Sequence, residues 1–341
     1  MVTPGAAGPG RTAVVGLGLI GGSLARLLAA RGVDVVATDV APATRAAARR
    51  AGLDVHDDLA SCVAGAGLVV LAVPLRAMAA TALEVARHAP ESATITDVGS
   101  VKGPVRAALA AAGLADRYVG AHPMSGTEHS GFDASDAGLL DGVTWAVAPA
   151  AGPEGRTAPA QRLATVLALV TGPCAGRAVV LTDDVHDEAA ALVSHVPHVL
   201  ATQLFNAVAG APVREVALRL AAGSFRDGTR VALTDPARTE AMVTENAAWV
   251  APALRKVIRD LELVVGALES NGSVHGFFHD ADALRGAVRS GPGRAPDGSA
   301  TDVEEVPLGP DGVTTLLEHC RAGAVVVGLD TTRAVALLAA R

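Results

Sequence analysis

Two stretches of this 341-residue chain carry the residue types from which an active site is built. The first is VVGLGLIGGS, residues 14–23, where Gly16, Gly18 and Gly21 follow a β-rich run and precede a segment of helical period. The first glycine permits a tight turn, the second lets a pyrophosphate approach the backbone, and the third lets helix and strand pack closely. The helix opens at Leu19 and Ile20, whose free N–H groups would face the phosphates. The second stretch is HPMSGTE, residues 122–128, placed where the nucleotide-binding half should end. A neutral imidazole beside a nicotinamide can accept a proton as hydride leaves the same substrate. Each has a plainer reading, a glycine-rich turn without ligand and a core histidine satisfied by backbone. Together they predict an enzyme, an oxidoreductase with His122 as its base.

The next β-rich run, DVVATD, ends in Asp39 at the offset of an acidic residue that grips both ribose hydroxyls. Asp39 would repel a 2′-phosphate, so NAD is expected over NADP. Arg45 is the one nearby cation that could tolerate the phosphate. Val73 and Pro74, at the end of the run GLVVLAVP, complete the expected cofactor contacts.

Three further segments place polar groups in Ala-rich surroundings. In DVGSVK, residues 97–102, Ser100 sits at a strand end running into a helix and reads either as a helix cap or as a ligand-facing hydroxyl. In SHVPH, residues 194–198, His195 and His198 share a helix face and Pro197 would kink the helix. No Cys or acidic partner stands at ligand spacing from them, so no metal is expected. In GSFRDGTR, residues 223–230, Arg226 and Arg230 lie in an apolar helical stretch and call for an anion, or for a surface pair with Asp227.

With GLGLIGGSLA and the His186-Asp187 pair, these segments resemble, in order and spacing, the prephenate and arogenate dehydrogenase family of tyrosine biosynthesis, over roughly residues 12 to 280. The resemblance implies a Rossmann domain, a helical C-terminal domain that forms a homodimer, and an active site between them. It implies NAD-dependent oxidation of the 4-hydroxyl of prephenate while the ring carboxylate leaves as CO2, giving 4-hydroxyphenylpyruvate. By position, His122 is the histidine that accepts the hydroxyl proton, and Ser100 the serine that holds it in line with the substrate. His198 is the substrate contact from the helical domain, Arg230 the partner of a substrate carboxylate, and Glu128 and Asp227 the acidic residues at the mouth. Thr127 and His195, within the same motifs, join the expected substrate contacts. One departure stands out. The family commonly has a Trp nine residues after that arginine, reaching the neighbouring subunit's site, and here the position is Thr239, with Trp249 ten residues further on.

Arogenate and 4-amino-4-deoxyprephenate remain alternative substrates, because no residue separates them from prephenate. A β-hydroxyacid dehydrogenase would use Lys-x-x-x-Asn, but Lys256 is followed by Asp260. A non-catalytic NAD-binding sensor or scaffold is opposed by the presence of both polar halves, His122 with Ser100 and His198 with Arg230.

The elements that must position these residues follow from the pattern. Short β-rich runs alternate with helical segments from Thr12 to Leu181, which predicts an α/β, doubly wound, mostly parallel sheet, with Thr144–Ala148 and Arg177–Leu181 extending it. After Thr182 the chain reads as helices alone, Asp183–Gly210, Val213–Ala221, Pro236–Val250 and Pro252–Ser270. The expected divisions are a nucleotide-binding domain at 1–182, a helical substrate-binding and dimerisation domain at 183–285, and a linker (286–300) leading into a short strand-helix-strand extension that ends the chain at 341.

Half of the residues are hydrophobic but only 2% are aromatic, so Ala, Val and Leu must fill the core. A net charge of −7 without a dense basic stretch argues against nucleic acid as the main partner and leaves a small-molecule substrate. Three scattered cysteines suggest a reducing, cytoplasmic setting. The first ten residues read as a flexible lead, and no run of apolar residues is long enough to span a membrane.

Overall fold

The β-rich runs near the N-terminus are mostly apolar rather than alternating, and the computed structural model shows why. It describes residues 10–150, 158–290, 303–309 and 311–339. The first half holds β1 (Thr12–Val15), α1 (Leu19–Ala30), β2 (Val35–Thr38), α2 (Pro42–Arg50), β3 (Asp54–Val55), α3 (Leu59–Val63), β4 (Leu68–Leu71), α4 (Met78–His88), β5 (Thr94–Asp97) and α5 (Gly103–Ala111). The five strands form one parallel sheet of order β3-β2-β1-β4-β5. Successive side chains of a strand point to opposite faces. In β1, Val14 enters one core while Ala13 and Val15 enter the other; in β4, Leu68 and Val70 divide from Val69 and Leu71 in the same way. Helices cover both faces, so neither can be polar. The expected doubly wound sheet is present.

Its extension is not simple. β6 (Gly120–Pro123), β7 (Thr144–Ala150) and, after α6 (Ala160–Thr171), β8 (Arg177–Thr182) belong to a second sheet, reached from β5 through a single bridge between Ile95 and Tyr118. β6 runs antiparallel to β7 because the segment between them returns through short turns rather than a crossover helix. Strand pairing continues through His122 and Pro123, so the histidine lies on the strand rather than after it.

From Asp183 to Ser290 the described residues contain no strand. α7 (Asp183–Ala190) passes through a π-type turn (Ala191–His195) into α8 (Val196–Ala209). Pro197 has no N–H for residue 193, and the wider turn accommodates the loss. α9 (Arg214–Leu220), α10 (Gly223–Thr229), α11 (Pro236–Glu245), α12 (Ala247–Glu269), α13 (His275–His279) and α14 (Asp282–Ser290) follow. Two boundaries differ from expectation. The helices divide at Asn246, whose side chain is engaged elsewhere, and Pro252 lies inside α12. The expected linker is helical up to Ser290, since Leu284 and Val288 keep helical spacing and Asp282 pairs with His279 and Arg285 at the first turn. Residues 291–300 of that linker, and residues 1–9 of the expected lead, lie outside the described residues.

The C-terminal extension is larger than strand-helix-strand. β9 (Val303–Pro307), α15 (Gly312–Arg321), β10 (Val325–Asp330) and β11 (Val335–Ala339) complete the second sheet in the order β6-β7-β8-β10-β11-β9. Val326 pairs antiparallel with Ala178 of β8, and Val306, Leu316 and Leu338 join the same core as Val14. The unit therefore adds to the N-terminal core rather than forming its own. Among the described residues no helix is long and apolar enough to cross a membrane.

Candidate active site

The glycine loop is shaped by its neighbours at two positions and open at the third. Gly16 has φ +100°, and a Cβ there would lie 2.5 Å from the Ala72 carbonyl oxygen. A Cβ on Gly21 would lie 2.0 Å from the Gly16 carbonyl oxygen, so only glycine lets α1 pack this close. Gly18 meets nothing within 4 Å, so nothing inside the protein requires its lack of a side chain. Clear space over the backbone at Gly18 is what a pyrophosphate needs. No side chain caps α1, which leaves the first-turn amides of Leu19, Ile20 and Gly21 without intrahelical partners. Asp39 is held at this loop by the amides of Leu17 and Ala41, each at 2.8 Å. Arg45 is turned away, donating to the carbonyls of Asp39 (2.7 Å) and Val40 (3.1 Å), with its Nε 3.4 Å from Asp57. Val73, following β4, borders Gly16, and Pro74 begins the turn beyond it. These residues fit a dinucleotide. Gly18→Val should therefore fold with an unchanged Tm yet weaken dinucleotide binding at least about tenfold; equal loss of both would mean that the glycine serves packing.

His122 ends a chain of groups whose hydrogen-bonding roles can be assigned. The Asp187 carboxylate accepts from the Lys102 amide (2.7 Å) and the Gly103 amide (2.9 Å), and lies 2.7 Å from His186 Nδ1. Burial pushes its carboxyl up, but the hydrogen bonds from His186, Gly103 and Lys102 outweigh this and hold it below its usual value. An ionised carboxylate only accepts, so His186 Nδ1 carries the proton. In neutral His186, Nε2 is then the lone pair, and it faces His122 Nδ1 at 3.0 Å. His122 Nδ1 must therefore donate, which leaves the Nε2 lone pair of His122 ready to accept a proton. Burial first, then the neighbouring His186, Lys102 and His195, disfavours a charge on His122 and holds it well below its ordinary pKa. It is neutral at neutral pH.

The same aspartate caps α5 from 84 residues away, so the cap expected of Ser100 is supplied by Asp187. Ser100 makes no hydrogen bond to His122 either, because the Nδ1 position it would occupy belongs to His186. Lys102 is fully buried with Asp97, ion-paired to it, and donates to the Ala121 carbonyl at 2.8 Å. Tyr118 donates to the other Asp97 oxygen at 2.7 Å. This cluster fixes the residue immediately before His122.

The helical region reaches the same place. Arg230 stands 3.8 Å from Glu128, and Arg238 donates to the Thr127 carbonyl at 3.0 Å, so the HPMSGTE segment is held from across the interface. His198 Nδ1 is 2.8 Å from the Ser194 carbonyl, leaving its Nε2 unengaged by that bond. His195 is fully buried, 3.0 Å from Asn246 Nδ2 through its Nδ1, while its Nε2 has no partner among the described residues. A buried donor left so costs about 1–3 kcal/mol. Asp227 is exposed, and neither it nor Arg226 is joined to this network, so the surface pair considered from sequence is replaced by Arg230–Glu128. Thr239 is partly buried on α11, while Trp249 packs with Val250 in the helical core. Lys256 pairs with Asp260 on the surface of α12, which removes the β-hydroxyacid dehydrogenase alternative. An apolar groove of about 360 Å³ between Val208, Leu218, Leu220 and Phe225 contains no titratable group and is not the reaction site.

Asn246 was not among the sequence candidates, His186 and Asp187 were noted only as a motif, and Asp97 and Lys102 only as the ends of DVGSVK. Burial of polar and charged groups is their signal, and burial is not visible in a linear chain.

A glycine loop that fits a dinucleotide on a doubly wound sheet, joined to a helical region, is the architecture of a Rossmann-type dehydrogenase. Residues 24–180 match the nucleotide-binding domain of prephenate dehydrogenase and residues 182–279 its dimerization domain. The chain belongs to the prephenate dehydrogenase family. It is 37% identical over 264 residues to the cyclohexadienyl dehydrogenase of Zymomonas mobilis, covering 76% of this chain and 88% of that one. Prephenate dehydrogenase from A. aeolicus, solved with hydroxyphenyl propionate and NAD+, superposes with a TM-score of 0.72 at 26% identity, covering 82% of this chain and 98% of that one. Synechocystis arogenate dehydrogenase gives 0.68 at 25% identity, with coverage of 81% and 99%.

Proposed function

We propose that the chain oxidatively decarboxylates prephenate with NAD, and that His122 is its general base. The carrying observation is the order of donors and acceptors from Asp187 through His186 to His122, which leaves the Nε2 lone pair unoccupied. The substrate 4-hydroxyl gives its proton to that nitrogen, the C4 hydride departs, and the C–CO2 bond electrons restore the aromatic ring. NAD, when bound, supplies the hydride acceptor. As His122 gains charge, the Asp187 carboxylate stabilises it through His186, and Ser100 is available to align the hydroxyl. Arg230 is largely exposed and only loosely paired, so it can turn to a substrate carboxylate. A charge-assisted bond of that kind is worth roughly 1.5–3 kcal/mol. Arg230→Ala should therefore raise KM with a smaller change in kcat. His198, Thr127, Glu128 and Asp227 are proposed as the remaining substrate contacts.

Arogenate is the second reading, favoured by Glu128, whose carboxylate could hold its amine. Turnover of prephenate, arogenate and 4-amino-4-deoxyprephenate with NAD and NADP separates these readings. Fastest reduction of NAD with prephenate is expected, and no turnover of any of the three would leave a non-catalytic nucleotide binder. Because the His122 pKa is lowered, the imidazole is neutral above its usual value and protonates only below it. kcat/KM should thus hold steady through neutrality and fall only below pH 6.5; a fall already in progress at pH 7 would contradict a buried base.

A homodimer through the helical region completes the proposal. Leu192, Val193, Leu204, Val216, Leu220 and Leu263 are exposed there, and only Ala191, Val196 and Val250 form its buried cluster. A face this apolar calls for a partner surface.

A further inference from the structure

Asn246 touches two groups with one nitrogen. Its Nδ2 lies 2.8 Å from the Asp187 backbone carbonyl and 3.0 Å from His195 Nδ1. A carbonyl oxygen can only accept, so the amide must present its NH2 there, and the flipped orientation would set two oxygens against each other. The second hydrogen of the same NH2 is then directed at His195 Nδ1, which must be the lone pair. The imidazole proton is forced onto Nε2.

That proton has no acceptor among the described residues. His195 is fully buried and its Nε2 lacks any partner among them. Burial, opposed by Asp187 and reinforced by His186 and His198, brings its pKa down to about 4, so the ring does not charge in the working range. Its imidazole lies in the neighbourhood of His122. The groups around it are His122 from the nucleotide-binding side and Asp187, His186, His198 and Asn246 from the helices.

We propose that Asn246 locks His195 in the Nε2–H tautomer, making it a permanent neutral hydrogen-bond donor for an oxygen of the bound substrate. The site then offers complementary imidazoles, an acceptor at His122 and a donor at His195. The proposal builds on the reading of His122 as base, but its test measures tautomer and binding rather than turnover, so either can fail alone.

Long-range ¹H–¹⁵N spectra of the wild-type protein should show His195 protonated at Nε2 and bare at Nδ1. In Asn246→Ala the lock is gone, and the same resonances should report a mixture of tautomers. Calorimetry with 4-hydroxyphenylpyruvate in the presence of NADH should give a Kd about tenfold weaker for His195→Phe and an intermediate loss for Asn246→Ala. NAD binding to the free proteins should be unchanged in both. Protonation at Nδ1 in the wild type overturns the proposal without any variant being needed. So does an unchanged Kd in a folded His195→Phe, or a defect confined to NAD binding.

Discussion

Asp187→Asn should lower kcat by about 10²–10⁴-fold, the range contributed by a positioned general base. The aspartate satisfies three donors, the Lys102 amide and His186 Nδ1 at one oxygen and the Gly103 amide at the other. An asparagine has a single acceptor oxygen. If its NH2 faces Gly103, a helix-capping bond is replaced by two opposed donors. If its NH2 faces His186, Nδ1 of that ring must become the acceptor and its proton moves to Nε2. His122 Nδ1 then accepts, its own proton sits on Nε2, and the base is closed. In serine-protease triads the corresponding change costs about 10⁴ through the same tautomer error. A buried, unsatisfied donor should also lower stability by about 1–3 kcal/mol, read as a fall in Tm. A folded variant with near wild-type turnover would remove the relay from the mechanism.

His122→Asn is the more direct test. The amide keeps a polar group at the strand end but cannot take a proton, so kcat should drop by about 10²–10⁴-fold. The acid limb of the rate profile should disappear with it. Dinucleotide binding, for which Gly18 and Asp39 on separate loops are the proposed contacts, should not change. Substantial turnover that still titrates in acid would point to another base.

These expectations draw unequally on the sequence. The cofactor end was legible because its logic is local: glycines, strand and helix lie within a dozen residues, and Asp39 follows on the adjacent strand. His122 stood out in the sequence as a candidate, but its strand pairing with Ala146 did not, since the run YVGA gives no sign that it continues through a proline. Ser100 shows the opposite case. Its position beside a helix start is ambiguous locally, and the ambiguity is resolved by a carboxylate far along the chain. The C-terminal unit was readable as elements but not as part of the first core, because the pairing of Val326 with Ala178 spans well over a hundred residues.

Residue types and short-range spacing thus determined that this chain can hold a dinucleotide and which histidines are candidates to work beside it. Hydrophobic period divided it into a sheet covered on both faces and a helical region with apolar surface to spare. Tertiary structure alone decided which nitrogen of His122 is free and which nitrogen of His195 bears hydrogen. The reason is physical. A tautomer depends on what the opposite ring nitrogen touches, and for both histidines that contact is made by residues 51 to 64 positions away.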